Sequence, residues 1–391
     1  MKKENVMIAI NSCNKVIDIF LGPFLVAYFI KVSADSMIDL SVFKILNYFF
    51  LASIGLLVGF FIEKGHPLAT FRVGVITRFF YILTILIMGE NIVNHLTLIS
   101  LLYGFSTITF WLPFNQYRAE CTNNKDRAMF ESKMKAVSGT IGILVPAVLG
   151  TMITTTSYQV TAIIILVFSL IEIIYSFYLM PLPKTNRKYD LKGAFKTFIK
   201  DKQMKKLLIA DYFNGITISD GVMGTLITIL IINLFKTDMN LGIINSLSAV
   251  LAIIAAFIYS KYYKGKSDKK FLYLSAILPI ISVLLLVFMQ TKTTVIIETF
   301  IFEIFATGML SFIFNLRMFN IAKSIITDEM KTEYWSLREV ILNLGRITGY
   351  LLMLFIGIMG IEYLNIVLIL VSLSLLEFAY IIANIDKNEE C

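Results

Sequence analysis

Two stretches decide how this chain folds: residues 138–150, SGTIGILVPAVLG, and residues 345–357, GRITGYLLMLFIG. The first places Ser138, Gly142, Pro146 and Gly150 at steps of four, and the second places Gly345, Gly349, Met353 and Gly357 at the same steps. Steps of four align on one helix face, so each stretch offers a smooth stripe where a neighbouring backbone can approach closely. The offset between the two is 207 residues at every position. Each stretch also sits inside a long apolar run, and such runs recur along the chain.

Working outward, apolar windows fall at 6–30, 40–62, 73–89, 96–116, 134–155, 160–180, 206–234, 240–260, 272–290, 294–316, 338–358 and 362–384, twelve spans in all. Each is in or near the range of about 17–25 residues that a membrane-crossing helix needs. Of 391 residues, 57% are apolar and 16% charged, with a mean hydropathy of +0.78; soluble domains carry about 25% charged residues. In water such a chain could not cover its apolar side chains, whereas in a bilayer they are the solvated surface. The spans must be helices, because a backbone amide in lipid has to be paired within the chain.

Cys13, Cys121 and Cys391 are few, odd in number and scattered, and His66 and His95 are the only histidines. Neither a disulfide framework nor a metal site is expected, and no cofactor is. The opening Met1-Lys2-Lys3-Glu4-Asn5 mimics a signal peptide, but Lys15 and Asp18 interrupt the apolar core and no small-x-small cleavage site follows. It reads as a retained first span. The absence of a nucleotide-binding loop argues against an ATP-driven pump.

The net charge of +8 is a matter of placement. Lys2 and Lys3; Lys64, Arg72 and Arg78; Arg118 to Lys135; nine between Lys184 and Lys206; Lys261 to Lys270; and Arg317, Lys323, Lys331, Arg338 and Lys387 fall on one side. The opposite loops hold Lys31, Lys236 and Lys292, a bias of 29 to 3. The positive-inside rule then puts both termini, Cys121 and the long central loop in the cytoplasm, with the chain in the cytoplasmic membrane. The basic excess is thus a topology signal, and no nucleic-acid partner is expected. Within the loop, Leu191, Phe195, Phe198 and Ile199 share a helical face opposed by Lys192, Lys196, Lys200 and Lys202, the pattern of an amphipathic helix on the inner leaflet.

The halves echo each other beyond the two stripes. Phe61-Ile62 recurs as Phe257-Ile258 at the ends of spans 2 and 8, and Phe114-Asn115 recurs as Phe314-Asn315 at the ends of spans 4 and 10. The expected organisation is residues 1–183 as an N-terminal six-helix half, 184–205 as a cytoplasmic linker, and 206–391 as a C-terminal six-helix half. Two six-helix halves, cytoplasmic termini and a basic central loop resemble the major facilitator superfamily (MFS). Gly59, Glu63 and Lys64 resemble part of that family's motif after span 2, although Gly65 comes one position early and Pro67 replaces a basic residue. Gly142, Pro146 and Gly150 resemble the drug-antiporter signature of span 5, with Val145 where a second Gly belongs. The arginine that such antiporters often carry within span 4 is missing, Arg118 lying at its cytoplasmic end. The resemblance implies an all-α membrane protein with two pseudo-symmetric halves and a secondary transporter working by alternating access.

Ionisable residues inside a membrane are costly and mark function. Span 1 carries Asn11, Asn14, Lys15 and Asp18 on one face, with Lys15 one turn from Asp18 and able to pair with it. Span 7 carries Asn214, Thr217, Gly221, Gly224 and Thr228, with Asp220 beside them; span 10 carries Glu303, Thr307, Ser311 and Asn315; span 11 carries Glu339, Asn343, Arg346 and Tyr350. Arg346 is deep enough to need a partner, which Glu303, Asp220 or Glu339 could supply. The expected substrate and ion-coupling set is Asp18, Lys15, Asn14, Asn11, Asn214, Asp220, Glu303, Arg346 and Asn343, with Asp18 as the coupling acid. Gly59, Glu63, Gly142, Pro146, Gly150, Gly345 and Gly349 form the packing and conformational set. Glu172 and Glu377 hold matching places in spans 6 and 12, where packing or lipid-headgroup roles are expected, and Trp111 and Trp335 read as interfacial anchors.

The function expected is movement of a small solute across the cytoplasmic membrane by a monomer among lipids. Coupling is to a proton gradient, with sodium as the alternative. Export of an amphipathic or cationic compound, or of a lipid, is favoured, as in an antiporter, and no enzyme activity is expected. Two readings compete: a lipid-linked glycosyltransferase using Asp35 and Asp39 in the first outer loop, and a transporter-derived sensor. The short outer loop and the duplication argue against the first; measured flux separates the second.

Overall fold

A computed structural model describes residues 3–120, 124–182, 188–262, 268–326 and 330–385. The sequence expectation for Cys121 lies outside the described residues. Among those described there are helices and turns but no strand. In chain order come α1 (Lys3–Ile19), a π-helical turn (Phe20–Phe24), α2 (Leu25–Val32), α3 (Met37–Glu63), α4 (Pro67–Met88), a 3-10 turn (Gly89–His95), α5 (Leu96–Glu120), α6 (Asn124–Thr155) and α7 (Tyr158–Phe177). Then follow α8 (Leu191–Lys200), α9 (Lys202–Thr217), α10 (Val222–Phe235), α11 (Asp238–Tyr262), α12 (Asp268–Phe288) and α13 (Lys292–Ile301). A π-helical segment (Phe302–Leu310), α14 (Ser311–Ile325), α15 (Lys331–Met359), a 3-10 turn (Ile361–Tyr363) and α16 (Leu364–Ala383) complete the fold. Ten stretches are long and apolar enough to cross a membrane, and one of them, 67–118, contains both α4 and α5. The helices fit the twelve expected windows, with α1–α2 as the first.

Three spans that read as continuous in sequence are interrupted. Span 1 breaks at Gly22, whose ψ of −107° leaves the helical region just before Pro23, a residue without a backbone donor. Span 7 breaks between α9 and α10, where Asp220 takes a φ of +52°. Span 10 passes through the π-helical segment that carries Glu303. Hydropathy registers composition, and none of these breaks changes it.

The chain forms two compact units. Unit 1 comprises Met1–Asp35, Leu46–Tyr189 and Thr237–Ser246; unit 2 comprises Ser36–Ile45, Asp190–Lys236 and Leu247–Cys391. In unit 1 the core joins Val6, Met7 and Ile10 of α1 to Phe71 and Val75 of α4, Phe110 and Phe114 of α5, and Phe130 and Met134 of α6. Phe110 and Phe114 stack at 5.2 Å between ring centroids, a geometry that adds specific aromatic contact to area burial. Trp111, expected as an anchor, is partly buried and meets both rings edge-on. Unit 2 is held by α9 against α15, where Gly215 faces the Leu342 carbonyl and Gly345 the Tyr212 carbonyl so closely that an added Cβ would collide. Large apolar side chains cover the outside, among them Ile87, Leu57 and Phe288, as contact with lipid tails requires.

The small-residue stripes do not all work alike. Gly150 and Gly242 meet backbone to backbone, with Pro146 contributing its carbonyl to the same contact. Gly349 lies 3.0 Å from the Ile216 carbonyl as measured from an ideal Cβ. Gly142, expected at an equivalent close contact, has nothing within 4 Å of such a Cβ. In unit 1 the close approach has moved along α6 to Pro146 and Gly150, where α11 crosses. Gly59 and Glu63 are buried in the last turns of α3.

The central loop contains α8, which is capped by Asp190 accepting from the Gly193 amide at 2.9 Å. Only part of its apolar face is buried: Phe198 packs edge-on against Tyr334 of α15, while Phe195 and Ile199 stay exposed.

Candidate functional site

In unit 1 the polar face of α1 is a connected network. The Asn11 side-chain amide donates to the Ser138 hydroxyl of α6 at 2.7 Å, and the Asn14 amide donates to one Asp18 carboxylate oxygen at 2.7 Å. The other Asp18 oxygen pairs with the Arg78 guanidinium of α4, which also donates to the Asn14 carbonyl oxygen. Arg78 further lies over the Phe110 ring, 5.2 Å from its centroid, a cation–π contact that helps hold a buried guanidinium. The side-chain exposures are unequal: 2% for Arg78 and 34% for Asp18. The acid is presented and the arginine stands behind it. Four residues after Asp18, at Gly22, the helix breaks.

Arg78 is the residue that sequence reasoning misplaced. Counted among the cytoplasmic charges because it lies near Lys64 and Arg72, it is instead twelve residues into α4 and buried. Its partner also changes the reading of Asp18. Lys15, expected to pair with Asp18, is exposed, and Asp18 is engaged by Arg78 and Asn14. An intrahelical lysine competes poorly with a guanidinium fixed by neighbouring helices, which gives up less side-chain entropy on pairing.

Glu172 of α7 was expected in a packing or headgroup role; at 0% exposure it sits inside unit 1, which fits packing and not headgroup contact. Neither of its carboxyl oxygens has a hydrogen-bond partner among the described residues. It is within electrostatic reach of Arg78 and Asp18. Glu377, its counterpart in the second half, is exposed on α16.

In unit 2 the charges gather at the break between α9 and α10. The Arg346 guanidinium of α15 donates to the Ser219 carbonyl at 2.7 Å, to the Ser219 hydroxyl at 3.1 Å, to the Asn343 side-chain oxygen at 2.8 Å and to Asp220 at 3.2 Å. Of the three acids considered for it, Asp220 is the hydrogen-bonded one; the left-handed backbone at Asp220 carries its carboxylate out of the α9 helix toward α15. Again the arginine is buried and the acid presented, at 7% and 68% side-chain exposure. Asn214 is buried one turn before the break, and its carbonyl oxygen accepts from the Ile218 and Ser219 amides at 2.9 Å each, closing the end of α9. Glu303 lies in the π-helical segment of span 10.

Two further groups in unit 2 escaped the sequence reading. Lys44, near the start of α3, acts electrostatically on Asp220 and Arg346. Arg338, counted among the loop charges, pairs with Asp211 of α9 through contacts of 2.9 and 3.1 Å, Asp211 being fully buried. A run of apolar neighbours hides Asp211 in a hydropathy window, and its i-to-partner distance of 127 residues hides the pair. At the far end of unit 1, Lys31 at the end of α2 pairs with Asp238 at the start of α11 at 2.5 Å. No cluster of three or more metal-ligating side chains occurs among the described residues.

The fold that carries these groups has family counterparts. A family model described as Major Facilitator Superfamily matches residues 12–330. The chain is 25% identical over 304 residues to YqgE, an uncharacterised protein of Bacillus subtilis strain 168, covering 77% of this chain and 70% of that one. Among solved structures, the nucleoside transporter NupG aligns with a TM-score of 0.73 and 13% identity over 100% of both chains. A bacterial homologue of the iron transporter ferroportin, in an inward-facing state, aligns with a TM-score of 0.70 and 13% identity over 97% of this chain and 96% of that one. Both structural likenesses are of fold. With the family model matched over most of its length and its helices following those of solved transporters, the chain belongs to the major facilitator superfamily of membrane transporters.

Proposed function

We propose that this protein is a secondary transporter that moves a small solute across the cytoplasmic membrane by alternating access, driven by a proton gradient. The observation that carries this reading is the pairing of a helix break with a presented acid in corresponding spans. Span 1 breaks beside Asp18 and span 7 breaks at Asp220. Interrupted helices in matching positions of two halves mark the substrate and ion site in transporters, because freed backbone groups are tolerated in a membrane where they line a cavity. Each arginine is buried behind its acid, so the accessible member of each pair is the carboxylate. That polarity favours amphipathic or cationic solutes over anions. Both termini face the cytoplasm in this reading, and α8 lies on the inner leaflet with Phe195 and Ile199 toward lipid.

The test is flux in proteoliposomes under an imposed proton gradient, against a panel of cationic, neutral and anionic solutes first screened by thermal shift. The wild type is expected to accumulate a cationic or amphipathic solute. Asp18→Asn is expected to lose gradient-driven accumulation while keeping exchange between equal concentrations. Full gradient-driven flux by that variant would remove Asp18 from coupling. Topology is checked separately with single cysteines at Asp35 and Lys188: an impermeant thiol reagent applied to intact cells should label the first and spare the second.

A further inference from the structure

We propose that Glu172 is a proton-binding residue, and that Asp18 and Glu172 together hold one proton while sharing the single guanidinium of Arg78. Three observations carry this. Glu172 is 0% exposed and both its oxygens lack a hydrogen-bond partner among the described residues. An ionised carboxylate in that setting is strongly disfavoured unless a counter-charge reaches it. Its helix, α7, packs against α1, α4 and α6, and the charges that act on it are Asp18 from α1 and Arg78 from α4; Glu172 in turn acts on the Cys13 thiol of α1. One turn further along α7, Arg72 of α4 meets the Ser176 carbonyl at 3.5 Å and so is committed elsewhere. Finally, Arg78 is already engaged by Asp18 and Asn14.

One cation therefore faces two acids in a place that water does not reach from the Glu172 side. In the arrangement described here, Arg78 neutralises Asp18 and the proton rests on Glu172. The alternative arrangement has the same net charge. The two arrangements interconvert when the proton passes from Glu172 to Asp18: the Glu172 O–H bond breaks as an O–H bond forms on Asp18, the Asp18–Arg78 ion pair is released, and Arg78 pairs with the carboxylate left on Glu172. Asp18, whose side chain is 34% exposed, is the member through which the pair exchanges its proton with water, and one acid is neutral in either arrangement. Such a pair titrates as a unit, its members never both ionised. This deepens the proton-coupled reading and rests on it for its physiological meaning, but its test does not require a known solute.

The experiment is infrared difference spectroscopy of the protein in liposomes at neutral pH, reading the C=O stretch of protonated carboxylic acids. Wild type minus Glu172→Gln should show one protonated carboxyl band. Asp18→Asn minus the double variant Asp18→Asn/Glu172→Gln should show none, since Arg78 is then available to ionise Glu172. Glu172→Asp, which preserves an acid, should shift the band without removing it, and it serves should the Gln variant fail to fold. Absence of the band in the first difference, or its survival in the second, overturns the proposal. The latter result would mean a passive neutral acid. Either outcome leaves the flux assay standing, so failure here and failure of proton-coupled transport are separable.

Discussion

The two units solve the same problem, an acid presented at a broken helix with an arginine behind it, but they close their charge differently. In unit 1 Arg78 stands against two acids, Asp18 and Glu172. In unit 2 the cations Lys44, Arg338 and Arg346 stand against Asp211, Asp220 and Glu339. Around Arg78 unit 1 has an acid to spare, whereas the cluster around Arg346 and Arg338 in unit 2 has as many cations as acids. The matching position makes the same point, since Glu172 is buried while its counterpart Glu377 is exposed. A duplicated fold thus need not carry duplicated chemistry. The surplus acid in unit 1 is a place for a proton, and the balanced cluster in unit 2 is a fixed charge pattern.

The sharpest way to break this comparison is to delete the arginine in each unit. Arg78→Met strips Asp18 of its guanidinium beside the buried Glu172, and a loss of up to about 3–5 kcal/mol of stability is expected, together with loss of flux. Arg346→Met leaves Asp220, which is 68% exposed and still near Lys44; the expected loss is about 1–2 kcal/mol, intermediate between exposed and buried pairs. Thermal unfolding in detergent measures both. Equal losses would mean that the units hold their charges alike.

A second contrast concerns packing. Gly215→Leu and Gly345→Leu each push a side chain into a backbone carbonyl across the α9–α15 contact. A cost of about 1–3 kcal/mol or more is expected for each, as for overpacked cores. Gly142→Leu enters open space, and its expected stability change is within about 0.5 kcal/mol. A large loss at Gly142 would show that α6 makes a close contact in some other state of the transport cycle. The smallest effect is expected at the Lys31–Asp238 pair, with Lys31 42% exposed. Lys31→Ala should change stability by less than about 1 kcal/mol, and less still at high salt.

Much of this architecture is written in the composition. Twelve apolar windows and the repeated stripe reach the fold because lipid rewards a continuous apolar helix whatever its neighbours do. The stripe at Ser138 even marks a real contact, with Asn11. The site was legible only where polarity stands out against an apolar run, as at Asn14, Asp18, Asp220, Asn343 and Arg346. Arg78 and Arg338 were hidden by position: each lies near a basic loop, and charge counting cannot tell a loop lysine from a buried arginine one or two turns away. Which acid meets which base is set by helix packing across 60 residues for Asp18–Arg78 and 127 for Asp211–Arg338, and no local pattern records it. The breaks at Gly22 and Asp220 are backbone events, visible in sequence only as a Gly-Pro step and as a Gly after an Asp.

The break at Gly22-Pro23 has a kinetic consequence of its own. Pro23 carries no amide hydrogen, and the Leu25 amide reaches back to the Gly22 and Phe20 carbonyls to restart the ladder. The backbone of span 1 is therefore two hydrogen-bond ladders in series. Each can fray from the shared break without unzipping the other, since helical protection is lost progressively from an end. Deuterium uptake in lipid nanodiscs should resolve two opening rates along one span, with the faster amides flanking residue 22, beside the acid that the proton must reach.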